Sequence, residues 1–268
     1  MLPTAADDDG PPTGVLLTVA YDGAGFSGFA PQRDRRTVYG TLLEAARALD
    51  PGVHVLRGAS RTDAGVHARG QIVALDPRRT IPLRGWVLGM NAHLPDDVAV
   101  RRAHEVQRGY EPRASRLGKR YRYLVMRDVV RDPRLDKISW RVGAQLDVAR
   151  ARREAHLLVG THDFKGFRSS HDDRDVTVRT IMRAEIVEGV LDDARLMELV
   201  VEGSAFLHNM MRIVIGTIVG VASGRLAEGA VSRAIASGRR DDLGVTAPPH
   251  GLSLDEVFVD LAEAPRWP

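Results

Sequence analysis

The chain has 268 residues, of which 44% are hydrophobic and 27% are charged. This composition is typical of a globular protein with a sizeable core, and it disfavours a disordered, collagen-like or membrane-embedded chain. The lack of cysteine excludes a disulfide scaffold, a thiolate zinc site and a cysteine nucleophile, and it favours a reducing, cytoplasmic compartment. Only three of the 38 basic residues are lysines. This arginine excess suits a nucleic-acid partner, although a GC-rich genome accounts for it equally well.

The first 108 residues comprise a polar tail followed by alternating strands and helices. Residues 1–14 contain three consecutive acids and no apolar segment, so we expect a disordered tail and no signal peptide. Apolar periodicity then predicts strands at 14–21, 54–60, 71–76 and 98–104, and helices at 38–49 and 83–93. The sequence therefore predicts an N-terminal half over residues 15–108.

Residues 109–268 form the predicted second half, which repeats this order with extra helices. After a loop at 110–118, the pattern predicts strands at 120–127, 180–188, 195–203 and 254–260, and helices at 147–159, 207–222 and 228–237. The shared strand, helix, strand, strand, helix, strand order is that of a ferredoxin-like fold. We expect an α+β protein with two ferredoxin-like, RRM-like halves whose antiparallel sheets join into one extended sheet. Helices should pack on one face of that sheet, and a basic cleft should lie on the other.

The longest apolar stretch, residues 203–222, contains His208, Asn209 and Arg212 near its middle. An arginine at that depth is costly in lipid, so we interpret the stretch as a buried helix and not as a membrane span. If Arg212 is buried it needs a carboxylate partner, whereas at the edge of the helix it needs none. The sequence alone leaves both placements open.

Gly23, Gly25 and Gly28 form a G-x-G-x-x-G pattern directly after the first strand. Such glycines bind a dinucleotide only where they open a helix whose N-terminus meets the pyrophosphate. Here Pro31 intervenes, and helical periodicity starts only near Val38. We therefore favour a tight loop that needs positive φ values, with an oxidoreductase as the less favoured alternative.

The segment 57–68 places an acid, Asp63, between an apolar strand and a glycine-containing turn, with Arg57 and Arg61 nearby. Guanidinium groups within about 4 to 6 Å lower the pKa of a carboxyl group, and an ionised carboxylate can attack an electrophile. On these residues alone we favour a structural interpretation, in which Asp63 caps the turn and pairs with an arginine. None of the nine histidines has the spacing of a metal-ligand pair, so no metal site is predicted.

Four blocks of the sequence resemble, in order and spacing, the tRNA pseudouridine synthase A family. The blocks are 60–68 (SRTDAGVHA), 21–23 (YDG) with Phe26 and Gly28, 119–123 (KRYRY), and 205–214 (AFLHNMMRIV) with Gly216. They span nearly the whole predicted folded chain, and the aspartate-containing block is highly specific. The resemblance implies isomerisation of uridine to pseudouridine in the anticodon stem-loop of tRNA, nominally at positions 38 to 40. It implies no metal or organic cofactor, and it implies a homodimer.

The resemblance also implies roles for individual residues. Asp63 matches the catalytic aspartate, which acts at C6 of the uracil or at C1′ of the sugar. Arg61 matches an arginine that fills the vacated base stack or holds a phosphate. Tyr121 matches a tyrosine that stacks on the target uracil, although strand alternation alone would make it a core residue. The family pattern pairs Arg212 with Asp63, and Leu252 matches a position lining the uracil pocket.

Two departures from the family pattern bear on RNA recognition. Ser60 stands in place of the usual glycine before Arg61, and residues 29–31 (FAP) replace a typical W-Q-x. Neither change touches the matched catalytic or binding residues, so we expect activity to persist. A non-catalytic RNA-binding module of the same fold is the alternative function.

Overall fold

The structure is a computed structural model that describes residues 10–143, 145–169, 175–261 and 266–267. Residues 1–9 of the predicted tail lie outside the described residues, and the last two tail positions belong to the first strand. None of the described helices is long and apolar enough to cross a membrane.

Strands and helices alternate along the chain in the predicted order, with some added elements. The strands are β1 (Thr13–Tyr21), β2 (Arg57–Gly58), β3 (His67–Leu75), β4 (Val98–Gln107), β5 (Arg116–Met126), β6 (Trp140–Arg141), β7 (Gly160–Asp163), β8 (Val178–Glu188), β9 (Leu196–Gly203), β10 (Leu252–Val259) and β11 (Arg266–Trp267). The helices are α1 (Val38–Leu49), α2 (Leu83–His93), α3 (Pro112–Ser115), α4 (Val148–His156), α5 (Met210–Ala222) and α6 (Ala230–Ser237). The sequence did not predict β6, β7, β11 or α3, and β2 is much shorter than predicted.

Local chemistry explains where the helices begin. The side chains of Thr37 and Asp147 accept hydrogen bonds from backbone N–H groups in the first turns of α1 and α4, as N-cap residues do. Helix α5 begins three residues later than predicted, because Asn209 takes a left-handed conformation with φ of 60°. His208 therefore lies in the turn before α5, and Arg212 lies in its first turn.

The two halves share one strand order and join into a single sheet. The sheet runs β11-β4-β1-β3-β10-β5-β9-β8-β7, with β2 also paired to β3 and β6 to β5. Within it, β4-β1-β3-β2 and β10-β5-β9-β8 are two copies of the ferredoxin-like order. They meet where β10 pairs in parallel with β3, at Ser253 opposite His67 and Leu254 opposite Ala68. The predicted α+β fold with two joined halves is confirmed.

The change from one set of strands to the next falls between Gln107, where β4 ends, and Arg116, where β5 begins. The predicted boundary at 108/109 lies within this connection. However, β11 pairs with β4, so the end of the chain returns to the first half. The division into two units stays a prediction.

The core lies mainly between the helices and one face of the sheet. On β5, Tyr123 and Val125 point to this face and are fully buried, as are Leu199 and Met197, their cross-strand partners on β9. The other face of β5 carries Arg122 in an ion pair, so burial alternates along the strand as side-chain direction requires.

Candidate active site

Asp63 lies in the connection between β2 and β3, residues 59–66, which we call the aspartate loop. The backbone N–H of Ala59 still bonds to Ile72 O on β3, after which the loop leaves the sheet. The Gln71 side chain then holds the loop at Ser60, donating to its carbonyl at 2.7 Å and accepting from its N–H at 3.2 Å. Gln71 and Ser60 are both buried, so these bonds fix the start of the loop.

The glycine pattern after β1 packs against the aspartate loop. A Cβ on Gly23 would lie 2.0 Å from Val66 O, and Gly28 has a φ of +94°. Backbone bonds from Phe29 N to Thr62 O and from Gly65 N to Phe26 O join the two segments. These glycines therefore permit a close approach of backbone to backbone. No long helix follows them, because α1 begins only at Val38, and the dinucleotide interpretation loses its geometric basis.

A cleft of about 1150 Å³ opens beside Asp63 and exceeds the usual volume of a small-molecule pocket. It is lined by the aspartate loop, by Tyr121 of β5, by Leu252 of β10 and by the turn leading into α5. Asp63 is the only acid among the described residues that line it. The other charged lining residues are Arg35, Arg61, Arg113, Arg116, Lys119 and Arg179. The described lining of the cleft is thus strongly basic and includes a single carboxylate.

The position of the cleft corrects one prediction. Tyr121 projects into it from the same face of β5 as the buried Tyr123, so the cleft opens on the helix-covered face, between the helices of the two halves. The predicted placement on the opposite face is wrong. That face of β5 instead carries Arg122, which pairs with Glu198 at 2.7 Å.

The carboxylate of Asp63 lies 3.3 Å from Nε2 of His208. About a quarter of the Asp63 side chain and two fifths of the His208 side chain are exposed, so both face the cleft. The turn created by the left-handed Asn209 brings His208 to this position. The imidazole and the carboxylate are thus close enough to interact directly.

The predicted pair between Arg212 and Asp63 is not formed. The Arg212 guanidinium donates to Ala247 O at 2.7 Å and to Asn209 Oδ1 at 2.7 Å. The backbone N–H of Ala247 also donates to Arg212 O, so α5 and the segment before β10 are tied together twice. Carbonyl and amide oxygens thus meet the needs of a half-buried arginine that we expected a carboxylate to satisfy. Arg212 does not line the cleft.

The two arginines near Asp63 in sequence differ in placement. Arg57 pairs with Asp76 at 2.8 Å and therefore does not serve Asp63 as a charge partner. Arg61 is exposed and lines the cleft next to Asp63. Of the two, Arg61 is the one placed to meet a ligand.

Tyr121 is only 6% exposed, and its ring packs edge-on against Phe206 with centroids 5.1 Å apart. Its hydroxyl lies 3.4 Å from Ser60 Oγ, which also accepts a hydrogen bond from Lys119 Nζ at 2.9 Å. Burial raises the pKa of Tyr121 to about 12, with a smaller increase from the negative charge of Asp63 and an opposing effect of the Ser60 hydrogen bond. The phenol is therefore protonated at neutral pH and keeps a proton to donate.

Leu252 forms part of the apolar wall of the cleft and is 4% exposed. It is the cross-strand partner of Tyr123, whose hydroxyl donates to Pro248 O at 2.8 Å. The segment tied down by Arg212 thus leads directly into this wall. Within the described residues, no group of three or more histidine, aspartate or glutamate side chains is arranged to hold a metal ion.

Comparison with known proteins decides the family. The family model described as tRNA pseudouridine synthase matches residues 155–258. A tRNA pseudouridine synthase A of Myxococcus xanthus is 41% identical, and the match covers 95% of this chain and 95% of the relative. Two further proteins of that name, from Geobacter sp. (strain M21) and Bacillus pumilus (strain SAFR-032), are 38% and 37% identical. These matches cover 91% and 92% of this chain and 98% and 99% of the relatives.

The chain belongs to the tRNA pseudouridine synthase A family. The resemblance seen in the four sequence blocks is confirmed, and so is the predicted enzyme class, an isomerase acting on tRNA. Family membership together with the cleft makes a non-catalytic module the weaker alternative.

Several contacts of the synthase cleft were not predicted from the sequence. They fall into three groups: the contact of His208 with Asp63, the two contacts of the Ser60 hydroxyl with Lys119 and Tyr121, and the edge-on packing of Phe206 on Tyr121. His208 and Phe206 belong to the block at 205–214 that pointed to the family, and Lys119 belongs to the block at 119–123. The sequence blocks therefore already contained these residues, but only the fold shows which of them contact one another.

Proposed function

We propose that this synthase isomerises uridines of the tRNA anticodon stem-loop, nominally at positions 38 to 40, with Asp63 as the catalytic carboxylate. The observation that carries the proposal is that Asp63 is the one acid among the described residues lining a basic cleft, beside a buried phenol and an apolar wall. A polyanionic RNA is attracted to such a cleft, while the lone carboxylate is positioned to act on an electrophilic carbon.

The reaction breaks the N1–C1′ bond of uridine, rotates the uracil and forms a C5–C1′ bond. The hydrogen on C5 leaves and N1 gains one, so the product is an isomer of the substrate. Asp63 supplies the nucleophile, either at C6 of the ring or at C1′ of the sugar, and both routes fit its place in the cleft. His208, at 3.3 Å, orients the carboxylate.

Tyr121 and Leu252 form the binding site for the uracil base in this proposal. The ring of Tyr121 provides a stacking surface, and the apolar side chain of Leu252 supports the base from β10. With its phenol protonated, Tyr121 can exchange a proton with the ring during loss of the C5 hydrogen. Arg212 acts one step further out, by fixing the segment that carries Leu252.

The target base must leave the helical stack to reach Asp63, which costs a few kcal/mol. Arg61 is exposed at the cleft beside Asp63, where its guanidinium can fill the vacated stack or bind a phosphate. Basic lining residues contribute phosphate contacts along the RNA. With six to ten such contacts, affinity should fall by about 10³- to 10⁵-fold between 50 and 200 mM salt, and a flat response would attribute the arginine excess to genome composition alone.

We also infer that the synthase works as a cytoplasmic homodimer, with tRNA bound across both subunits. The support is the family resemblance and, for the compartment, the lack of cysteine. Light scattering on the purified chain measures the mass in solution, for which each subunit contributes 29.4 kDa. A mass of one subunit at micromolar concentration would contradict the dimer.

Release of tritium tests the proposed reaction directly. Anticodon stem-loop transcripts carrying tritium at C5 of uridine release it to water only when the C5–H bond is replaced. We expect release by the wild type and none by Asp63→Ala, with sites mapped by placing a single labelled uridine at each of positions 38 to 40. Binding of the RNA without release by the wild type would favour the binding module or a substrate outside that stem-loop.

A further inference from the structure

Three arginines from three different elements meet along the cleft, apart from the aspartate loop. Arg113 lies in α3, Arg116 is the first residue of β5, and Arg179 lies near the start of β8; all three line the cleft. Strand β9 joins the two strands, because its Gly203 pairs with both Lys119 of β5 and Ile181 of β8. Arg116 and Arg179 therefore lie at the same end of the sheet. We call these three residues the arginine cluster.

Within the cluster, Arg116 is half-buried, and its charge has no carboxylate partner among the described residues. One of its terminal nitrogens donates to the backbone carbonyl of Arg113, while its Nε is buried with no hydrogen-bond partner in the described structure. Burial lowers the pKa of Arg116, and the positive charges of Arg113 and Arg179 lower it further. A half-buried guanidinium that also has an unsatisfied Nε favours the approach of an anion.

The opposite face of the same strand shows how arginines are neutralised elsewhere in this chain. Arg120 pairs with Glu202 at 2.8 Å, and Arg122 pairs with Glu198 at 2.7 Å. Arg116 projects to the cleft and pairs with no such acid among the described residues. A ligand in the cleft can supply the negative charge that Arg116 lacks there.

We propose that the arginine cluster binds the phosphodiester group next to the nucleotide that is flipped toward Asp63. Guanidinium groups match the geometry of phosphate oxygens and bind them through paired hydrogen bonds. The cluster lies in the same cleft as the reacting groups, because Arg116 and Tyr121 belong to one strand and both line the cleft beside Asp63. This inference rests on the proposed function in that the anion belongs to the RNA substrate.

The test combines a protein change with an RNA change. Arg116→Gln removes the central charge of the cluster, and stem-loops with one neutral methylphosphonate linkage, placed on either side of the target uridine, remove single phosphate charges. Affinities are measured in an Asp63→Ala background, where no turnover occurs. Arg225→Gln is the matched control, because Arg225 is exposed and lies far from the cleft. The first residue of α5 lines the cleft, the helix is about 20 Å long, and Arg225 follows its other end.

We expect Arg116→Gln to weaken binding about 10-fold or more and to reduce the slope of log affinity against log salt by about 0.7. For the protein that retains Arg116, one of the two neutral linkages should weaken RNA binding by a similar factor. For the Arg116→Gln variant, the same linkage should cause no further loss of affinity. Arg225→Gln should leave affinity unchanged. The losses of binding free energy caused by Arg116→Gln and by each neutral linkage can also prove additive. In that case the cluster binds neither of the two phosphates, and the inference is wrong.

Two further measurements keep the outcomes separate. Arg113→Gln, at an exposed position, repeats the test if Arg116→Gln fails to fold, as judged by circular dichroism and thermal unfolding. Tritium release by the wild type reports on the proposed function independently. Tritium release by the wild type together with additive losses of affinity contradicts only the role of the arginine cluster. Non-additive losses of affinity without tritium release contradict only the proposed reaction.

Discussion

The two halves of the sheet have the same order of elements, but they differ in the connection between their second and third strands. In the first half, β2 has two residues, and the aspartate loop that follows it carries Asp63 into the cleft. In the second half, β8 has 11 residues and pairs with β9 from Ile181 to its last residue, Glu188. The turn at 189–195 that follows β8 contributes no residue to the cleft lining.

The cause of this difference is competition for one edge of β3. Strand β2 pairs with that edge at Val73 and Ala74, while β10 of the other half pairs with it at His67 and Ala68. A strand edge can pair with only one neighbour at each point, so the chain between β2 and β3 has to leave the sheet. Strand β9 has no third neighbour, and its hairpin with β8 closes within the sheet. The seam between the halves therefore creates the aspartate loop.

The largest difference is expected between two variants, one with a changed carboxylate in the β2–β3 connection and one with a changed carboxylate in the β8–β9 connection. Asp63→Asn should abolish tritium release, a loss on the order of 10⁴-fold or more, because an amide cannot serve as the nucleophile. Asp192→Asn changes an exposed acid in the equivalent turn of the second half, where φ of 57° also suits asparagine, and it should leave the rate unchanged. Both variants should keep the thermal unfolding temperature of the wild type. Residual turnover above about 1% in Asp63→Asn would remove Asp63 from its role.

The second comparison uses two tyrosines on the same face of β5. Tyr121→Phe should lower kcat about 10²-fold through loss of a positioned proton donor. Tyr123→Phe should leave kcat nearly unchanged but destabilise the fold by about 1–2 kcal/mol, because Pro248 O loses its hydrogen bond. Single-turnover rates and denaturant unfolding separate the two effects.

The protonation state of Tyr121 also predicts how the wild-type rate depends on pH. Burial raises the pKa of Tyr121 to about 12, above the value of about 10 for an unperturbed tyrosine, so the phenol does not ionise in the working range. The rate should therefore show no loss from tyrosine ionisation up to about pH 10. The neutral phenol also favours the folded state, and this contribution is lost only as the pH rises from about 10 to about 12. A rate decline near pH 9 that disappears in Tyr121→Phe would contradict this assignment.

A third comparison tests the support of the aspartate loop by the glycines after β1. Gly23→Ala should destabilise the fold by about 1–3 kcal/mol and lower kcat, since the added methyl would lie 2.0 Å from Val66 O. Gly25→Ala, two residues later, would meet only the side-chain ends of Arg36 at 2.9 Å and Asp97 at 3.5 Å, and no backbone, so it should have a much smaller effect. An unfolding temperature equally lowered in both variants would show that the turn, and not its contact with the loop, matters.

Much of the fold was predictable because its signals are local. The bounds of α1 and α2 match the predicted 38–49 and 83–93, since amphipathic periodicity and a cap such as Thr37 depend on neighbouring residues only. Strand β2 was predicted over 54–60 because its apolar pattern is that of a strand. Its length is set by β10, a strand some 200 residues away, and no local pattern carries that information.

The candidate site divides in the same way. The segment around Asp63 was identified from its own residues and its resemblance, and the structure brings Asp63, Tyr121, Arg61 and Leu252 to one cleft. The partner of Arg212 was wrongly predicted, because it depends on the path of the segment around Ala247. That segment contains no periodic pattern from which its position could be derived.

The smallest expected effect concerns Ser60, where the loop of the first half meets β5 of the second. Its hydroxyl accepts from Lys119 at 2.9 Å and lies 3.4 Å from the Tyr121 hydroxyl, so it holds the two side chains relative to the loop. One such hydrogen bond contributes about 0.5–1.5 kcal/mol, and Ser60→Ala should lower kcat by roughly 2- to 10-fold. Ser253→Ala is the control, because the Ser253 hydroxyl on β10 is buried with no hydrogen-bond partner in the described structure.

Combination with Tyr121→Phe decides how Ser60 acts. If Ser60 works through the phenol, adding Ser60→Ala to Tyr121→Phe should cause no further loss of kcat, because the group that it positions is already gone. Independent, multiplicative losses would show that Ser60 acts through Lys119 or the loop backbone instead. Ser60→Gly, which restores the residue usual in the family, removes the same hydroxyl contacts and also frees the loop backbone, so its kcat should fall at least as far as that of Ser60→Ala.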